Sequence, residues 1–266
     1  MYIRTQTLQS LMEKYNISAY THGKKEDKLG DVFEDYCVEI LNSTELLQKY
    51  LSNTLSNANT DEYIFKLLMN AGYIKNTNKI KKISASREIE HRLTGGNAKT
   101  DVIADITYND NSSVSVSISV KQTTAKKVAM AEFDVDTIVR EVGIADKEVI
   151  RLLTKHQTDA SAKNFTAIEK QMLKENLKPY ATKLVRWVLT GSPDKDCTDL
   201  RFPKLILKID FTKKDEIKDI HIYDIDTYIN SVMKDKNGNI RAGGFGTGLG
   251  WTYATGSKGK KIQFKG

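Results

Sequence analysis

Cysteine is nearly absent from this chain: Cys37 and Cys197 are the only two among 266 residues. Two thiols so far apart exclude a disulfide-stapled scaffold and leave a zinc site unsupported; they read as reduced side chains. Long apolar runs are missing too, since no stretch approaches the ~20 residues that a membrane-spanning helix needs. The opening MYIRTQTLQSLMEKY is helical and mixed in charge, so it does not read as a secretory signal. These absences lead to the expectation of a cytoplasmic protein with no membrane partner. His22, His91, His156 and His221 have neither HxxxH spacing nor an acidic cluster beside them, which favours surface or internally satisfied roles over metal ligation. There is no GxSxG elbow to activate a serine. The string Gly246-Thr247-Gly248-Leu249-Gly250 has no βαβ unit before it, which argues against a dinucleotide fold. No internal repeat and no obvious linker interrupts the chain.

What is present is positive charge. Lysine and arginine number 41 against 34 acidic residues, a net charge of +7 that favours an anionic partner. The charge is unevenly placed: from Lys234 onward come Lys236, Arg241, Lys258, Lys260, Lys261 and Lys265, with Asp235 the only acid. A basic terminus is ordinarily a frayed, solvated end. This one also carries Phe245, Leu249, Trp251, Tyr253, Ile262 and Phe264, more large apolar groups than a disordered tail holds. It is expected to be ordered and docked on the body, with its lysines toward a ligand.

Apolar spacing predicts helices near 3–15, 28–42, 43–52 and 60–72, then 132–142, 146–156, 163–175 and 178–187. A strand over 184–190 competes with the last of these. Further strands are expected at Lys204 to Phe211 and Ile217 to Tyr223, a helix from Asp224 to Met233, and a glycine-rich remainder with short extended pieces. The organisation expected is a single α/β domain over 1–266, with a helical N-terminal third (1–80), a catalytic core (81–225) and a ligand-reading C-terminal segment (234–266).

The strand pattern around 101–121 is the most informative. Val102, Ala104 and Ile106 alternate with Asp101, Ile103 and Asp105; Val114, Val116, Ile118 and Val120 alternate with serines that end in Ser119 and Lys121. Matching the apolar rows pairs odd residues with odd residues, which requires an odd-length loop such as Asp110-Asn111-Ser112 or a bulge. That loop sets Asp101 across from Lys121. A carboxylate and an ammonium at adjoining strand ends suit phosphodiester hydrolysis by a hard cation. Asp101 supplies one ligand, the Val120 carbonyl a second, and Lys121 orients the attacking water. A plain cross-strand ion pair accounts for Asp101 and Lys121 equally well when they are taken alone. Glu34 on the second helix is a further carboxylate for the metal or its surroundings, although a solvated helix face also explains it; Glu132 and Asp134 are considered for the same role.

Several strings together carry a resemblance: DKLGDVFEDY (27–36), GGNAKTD (95–101), AEFDVDTI (131–138), KHQTDASAKNFT (155–166) and above all GFGTGLGWTYATGSKGKKIQFKG (244–266). With them the chain resembles the MspI-type type II restriction endonucleases, within the PD-(D/E)xK nuclease superfamily, along nearly its whole length. The resemblance implies a mixed central β-sheet flanked by helices and Mg²⁺-dependent cleavage of double-stranded DNA at CCGG after the first C. It implies a cognate DNA methyltransferase in the same restriction-modification system, with no direct contact, and a monomeric enzyme. Asp101, Ser119 and Lys121 fall on the catalytic positions. Ser119 stands where the superfamily usually has an acid and the MspI type has asparagine, so weaker metal binding or greater reliance on Asp101, the Val120 carbonyl and Glu34 is expected. The DNA-binding positions carry over to Thr252, Ala254, Thr255, Gln263 and Lys265. Lys258 and Lys261 are expected on phosphates and Lys265 and Gln263 at base edges. Thr255 and Ala129 both stand at serine positions, which leaves the recognition sequence open. A nuclease for repair or junction structures, and a DNA-binding relative with weakened catalysis, are the competing readings.

Overall fold

The structure is a computed structural model that describes residues 5–71, 79–90, 98–125, 127–195, 197–212, 217–253 and 261–266, except for the side chains of residues 22 and 23. Its contacts divide it into two compact units, and each is discontinuous in sequence. One comprises Met1–Lys126 with Asp199–Ile225, the other Lys127–Thr198 with Asp226–Gly266. Among the described residues no helix is long and apolar enough to cross a membrane.

The first unit is built on a five-stranded sheet of β1 (Ile80–Ser86), β2 (Val102–Tyr108), β3 (Ser113–Thr123), β5 (Leu205–Phe211) and β6 (Ile217–Asp224), in that spatial order. Only the β3–β5 pairing is parallel; the others are antiparallel, so the sheet is mixed. Helices α1 (Gln6–Lys14), α2 (His22–Asn42), α3 (Thr44–Leu51) and α4 (Thr60–Met69) precede it in sequence. On α2 the residues Leu29, Val32, Phe33, Tyr36, Cys37 and Ile40 recur at helical spacing and are buried. They join one core with Ile83, Val102, Ala104, Ile106, Val116, Ile118, Val120, Leu205 and Leu207 from the sheet. β3 is central. Its serines are therefore not the solvent face that alternation suggests: Ser117 and Ser119 are 0% and 1% exposed. Ser117 Oγ donates to the Phe202 carbonyl at 2.9 Å, which satisfies a buried hydroxyl.

The β2–β3 hairpin corrects the expected register. Val102 pairs with Ile118 and Thr107 with Ser113, and the Tyr108 N–H donates to the Ser112 carbonyl at 2.9 Å, so the connection is the three residues 109–111, one position earlier than Asp110-Asn111-Ser112. Parity is preserved because the loop is odd, but the strands slip by two residues. Asp101, whose N–H donates to the Ile118 carbonyl at 2.9 Å, thus continues the ladder toward Ser119 and not toward Lys121. Asp110 stabilises the loop by accepting from the Ser112 N–H at 3.0 Å, and Asn111 takes a left-handed φ of 63°.

The second unit holds β4 (Ala129–Phe133), α5 (Val135–Val142), α6 (Lys147–Thr158), α7 (Ala167–Leu177), α8 (Ala181–Thr190), α9 (Ile225–Met233, from Asp226), β7 (Gly250–Thr252) and β8 (Ile262–Lys265). Residues 184–190 are helical. Apart from Arg186 and Thr190, LVRWVLT is apolar, and α8 buries Leu184, Val185, Trp187, Val188 and Leu189 together, which mimics a buried strand in sequence. Strands β4, β8 and β7 form a small antiparallel sheet in that order. Its two C-terminal strands are the ordered form of the basic tail. The glycine-rich string before β7 is tightly wound: Gly244 (φ 56°) and Gly248 (φ 75°) are left-handed, and a methyl group on Gly248 would collide with the Val232 carbonyl.

Candidate active site

β3 runs past the start of β2, so backbone groups after Ile118 have no ladder partner on that side. Asp101 fills this gap. Its Oδ2 accepts from the Val120 N–H at 2.8 Å, the Ser119 hydroxyl at 2.9 Å and Lys121 Nζ at 2.9 Å. Lys121 Nζ also donates to the Val120 carbonyl at 3.1 Å. The predicted carboxylate, serine, carbonyl and ammonium are therefore together at one strand end, although Lys121 reaches Asp101 diagonally. Ser119 is a buried donor to Asp101. Its hydroxyl braces the carboxylate in place of supplying a second one.

Glu34 is not a solvated helix residue. Burial, then the negative charge of Asp101, push its carboxyl up to about 7. Opposing this, Arg87 at the end of β1 forms an ion pair with Glu34 and reaches Asp31 Oδ1 at 3.1 Å and Asp35 Oδ1 at 2.7 Å. Asp31, Glu34 and Asp35 lie at i, i+3 and i+4 of α2, which puts them on one face toward this guanidinium. Burial works against the charge on Arg87, but its bond to Asp35 and the charge of Glu34 outweigh it and hold its pKa above the usual value. Cys37, fully buried one turn from Glu34, has its thiol pushed up to about 12 by burial and by the charges of Asp101 and Glu34, which leaves it inert. Neither Arg87 nor β1 was expected from the sequence. The only signal was the alternating run 80–86, which follows a polar, asparagine-rich stretch.

The donor set is made of hard oxygens: the Asp101 and Glu34 carboxylates and the Val120 carbonyl. That is the chemistry Mg²⁺ accepts, with one or two carboxylates and water for the remainder. Among the described residues no group of three His, Cys, Asp or Glu side chains comes together as a metal-ligating cluster.

In the second unit the predicted DNA-binding residues that are described fall on or beside the small sheet. Gln263 on β8 pairs with Glu132 on β4 and with Thr252 on β7, so all three share a face. Lys265, two residues on, shares that face between the small residues Ala129 and Gly250. The opposite face is aromatic, with Trp251 and Phe264 5.3 Å apart edge to face. Lys261 is exposed. Ala254, Thr255 and Lys258 lie outside the described residues. Glu132 and Asp134, considered as metal-site carboxylates, have other duties here: Glu132 accepts from Gln263 at 2.6 Å, and Asp134 caps α5 by accepting from the Thr137 N–H at 2.8 Å.

His156 on α6 is 3% exposed. Its Nδ1 lies 2.6 Å from the Tyr253 hydroxyl, which gives its own proton to the His156 carbonyl at 2.7 Å. The ring nitrogen is therefore the donor in the first bond. Burial pulls the imidazole pKa down to about 4. It is a satisfied core histidine, as its isolation in sequence suggested.

The family model for restriction endonuclease MspI matches residues 8–266. The chain is 36% identical to the type II restriction enzyme MspI of Moraxella sp. over 267 residues, covering 99% of this chain and all of that one. It is 27% identical to the type II restriction enzyme BsuFI of Bacillus subtilis over 271 residues, 97% of this chain but 63% of the relative. The crystal structure of MspI in complex with its cognate DNA superposes with a TM-score of 0.87 at 37% identity, covering 99% of this chain and all of that one. A mixed sheet flanked by helices, an Asp–Lys pair at a strand end and matches of this length lead to one conclusion: the chain belongs to the MspI family of type II restriction endonucleases.

Proposed function

We propose that this protein cleaves double-stranded DNA at CCGG, after the first C, with Mg²⁺ as cofactor, and that Asp101, Lys121 and Glu34 carry the chemistry. The observation that supports this most is the convergence of Ser119, the Val120 N–H and Lys121 on a single oxygen of Asp101. Three donors hold that carboxylate at one angle, the preorganisation expected of a catalytic group. Asp101, Glu34 and the Val120 carbonyl would hold Mg²⁺. When bound, it supplies Lewis-acid stabilisation of the charge that develops on the phosphate. Lys121 keeps an ammonium within reach of the same place, where it orients the attacking water and neutralises a non-bridging phosphate oxygen. Ser119 fixes Asp101, and Arg87 fixes Glu34. Thr252, Ala254, Thr255, Gln263 and Lys265 read bases, while Lys258 and Lys261 contact phosphates.

The same reading takes the protein as a monomer in the cytoplasm, paired with a DNA methyltransferase that it does not touch, and takes 1–266 as one endonuclease domain. In support of the last, the chain passes from one unit to the other after residues 126, 198 and 225. Plasmid DNA digested with Mg²⁺ is expected to give discrete fragments whose mapped ends all lie within CCGG, with none in EDTA. Nicking at branched structures without fixed ends would instead identify a repair or junction nuclease. The serine at 119 favours one further reading, a relative that binds its site and cuts poorly; specific binding with no cleavage in Mg²⁺ or Mn²⁺ would establish it.

A further inference from the structure

The face of the small sheet contains one acid among its base-reading residues. Gln263 Nε2 donates to Glu132 Oε1 at 2.6 Å, and Gln263 Oε1 accepts from Thr252 Oγ1 at 3.1 Å. This network fixes the amide. Turned over, its oxygen would face a carboxylate and its nitrogen a hydroxyl, and the contact with Glu132 would be repulsive. Among the described residues Gln263 is the only partner of Glu132, and no lysine or arginine pairs with it. A half-buried carboxylate with no lysine or arginine paired to it among the described residues is costly beside DNA phosphates, because like charges repel across a low dielectric. It is retained at little cost where the groove offers a donor for its second oxygen.

We propose that Glu132 is a specificity-determining residue that accepts a hydrogen bond from the N4 amine of one cytosine in the major groove. The proposal rests on the reading of this sheet as the DNA-reading face. In a site made only of C·G and G·C pairs, cytosine N4 is the one exocyclic donor the major groove presents, and carboxylates are its natural acceptors. The second N–H of Gln263 lies beside the carboxylate and is left to donate to guanine O6 of the same pair or its neighbour. Glu132 and Gln263 thus present an acceptor next to a donor, the complement of a C·G edge. Thymine at that position is refused because its O4 would face the carboxylate, acceptor against acceptor.

The test is cleavage of duplexes in which each cytosine of the mapped site is changed singly to thymine (with its paired base), or singly to 2-pyrimidinone, which lacks the N4 amine. Glu132→Gln keeps the side-chain shape and can donate to thymine O4. It is expected to lower the preference for cytosine over thymine at one position by about 10- to 100-fold, the share of one base contact, and to leave the other cytosine discriminated as in the parent. The parent is expected to lose about tenfold or more on 2-pyrimidinone at that same position, and Glu132→Ala to lose nothing further there, because the two changes remove one bond. If a site-specific parent and Glu132→Gln discriminate alike at every position, the inference is overturned alone. If the parent yields no discrete fragments, the DNA-reading assignment falls first and the inference with it.

Discussion

The two units solve one problem, holding functional side chains still, by different means. At the strand end of the first unit the groups hold one another by charge: Lys121 on Asp101, and Arg87 on Asp31, Glu34 and Asp35. In the second unit the face proposed to read DNA rests on an aromatic underside in which Trp251 meets Phe264 and Phe245 edge to face, and His156 stacks on Tyr253. A charged corner keeps its shape only while each partner is ionised, whereas an aromatic floor keeps its shape by packing. The first arrangement suits a place that must respond to a cation and a phosphate. The second suits a template that presents the same edge to every base pair.

The comparison can be broken most sharply at the charged corner. Asp101→Ala or Lys121→Ala is expected to lower the cleavage rate by about 10²–10³-fold or more while site-specific binding, measured by gel shift, is retained; parental rates in either variant would remove the site assignment. In the second unit the largest expected effect is steric. Gly248→Ala drives a methyl group into the Val232 carbonyl at a left-handed position, with an expected loss of about 3 kcal/mol in denaturant unfolding. An unchanged midpoint would show that the loop yields.

The next effect is pH-dependent and belongs to the aromatic floor. The folded His156 has a pKa near 4 against 6.5 in the unfolded chain. Below pH 6.5 the unfolded state takes up a proton that the folded ring refuses, so stability falls between about pH 6.5 and 4 and is untouched above. The loss is on the order of 3 kcal/mol at the acid end. His156→Gln should flatten that slope, and a slope that survives the change would assign it elsewhere. The smallest effect is at Arg87, whose half-exposed pairs are screened by solvent. Arg87→Ala is expected to cost about 1 kcal/mol, and Mg²⁺ should restore part of it by replacing the lost positive charge near Glu34. A variant indifferent to Mg²⁺ in thermal unfolding would detach Arg87 from the metal site.

The sequence carries the central hairpin plainly, because strict alternation in 102–106 and 114–120 admits few other arrangements. It does not carry the register. Three-residue loops at 109–111 and at 110–112 both match the apolar rows, and only tertiary packing selects the first. Helix α2 was legible from its apolar stripe, but the acidic stripe beside it looked like a solvated surface, since nothing in the sequence ties Arg87 to a helix some fifty residues earlier. The strings 184–190 and 129–133 were misjudged or missed for opposite reasons. The first is too uniformly apolar to show a period, and the second is too short to show one. The small sheet was invisible as a sheet because its strands lie about 120 residues apart in sequence. The ordering of the tail was nevertheless evident from its aromatics.

The interleaving of the two units bears on how such an enzyme acquires a new target. The unit proposed to read DNA is encoded in two stretches, 127–198 and 226–266, separated by strands of the unit proposed to cut it. No single crossover between relatives can exchange one unit whole. Recombination therefore tends to produce mismatched halves, and a change of target site is more accessible through substitutions on the face of the small sheet than through the shuffling of intact cassettes.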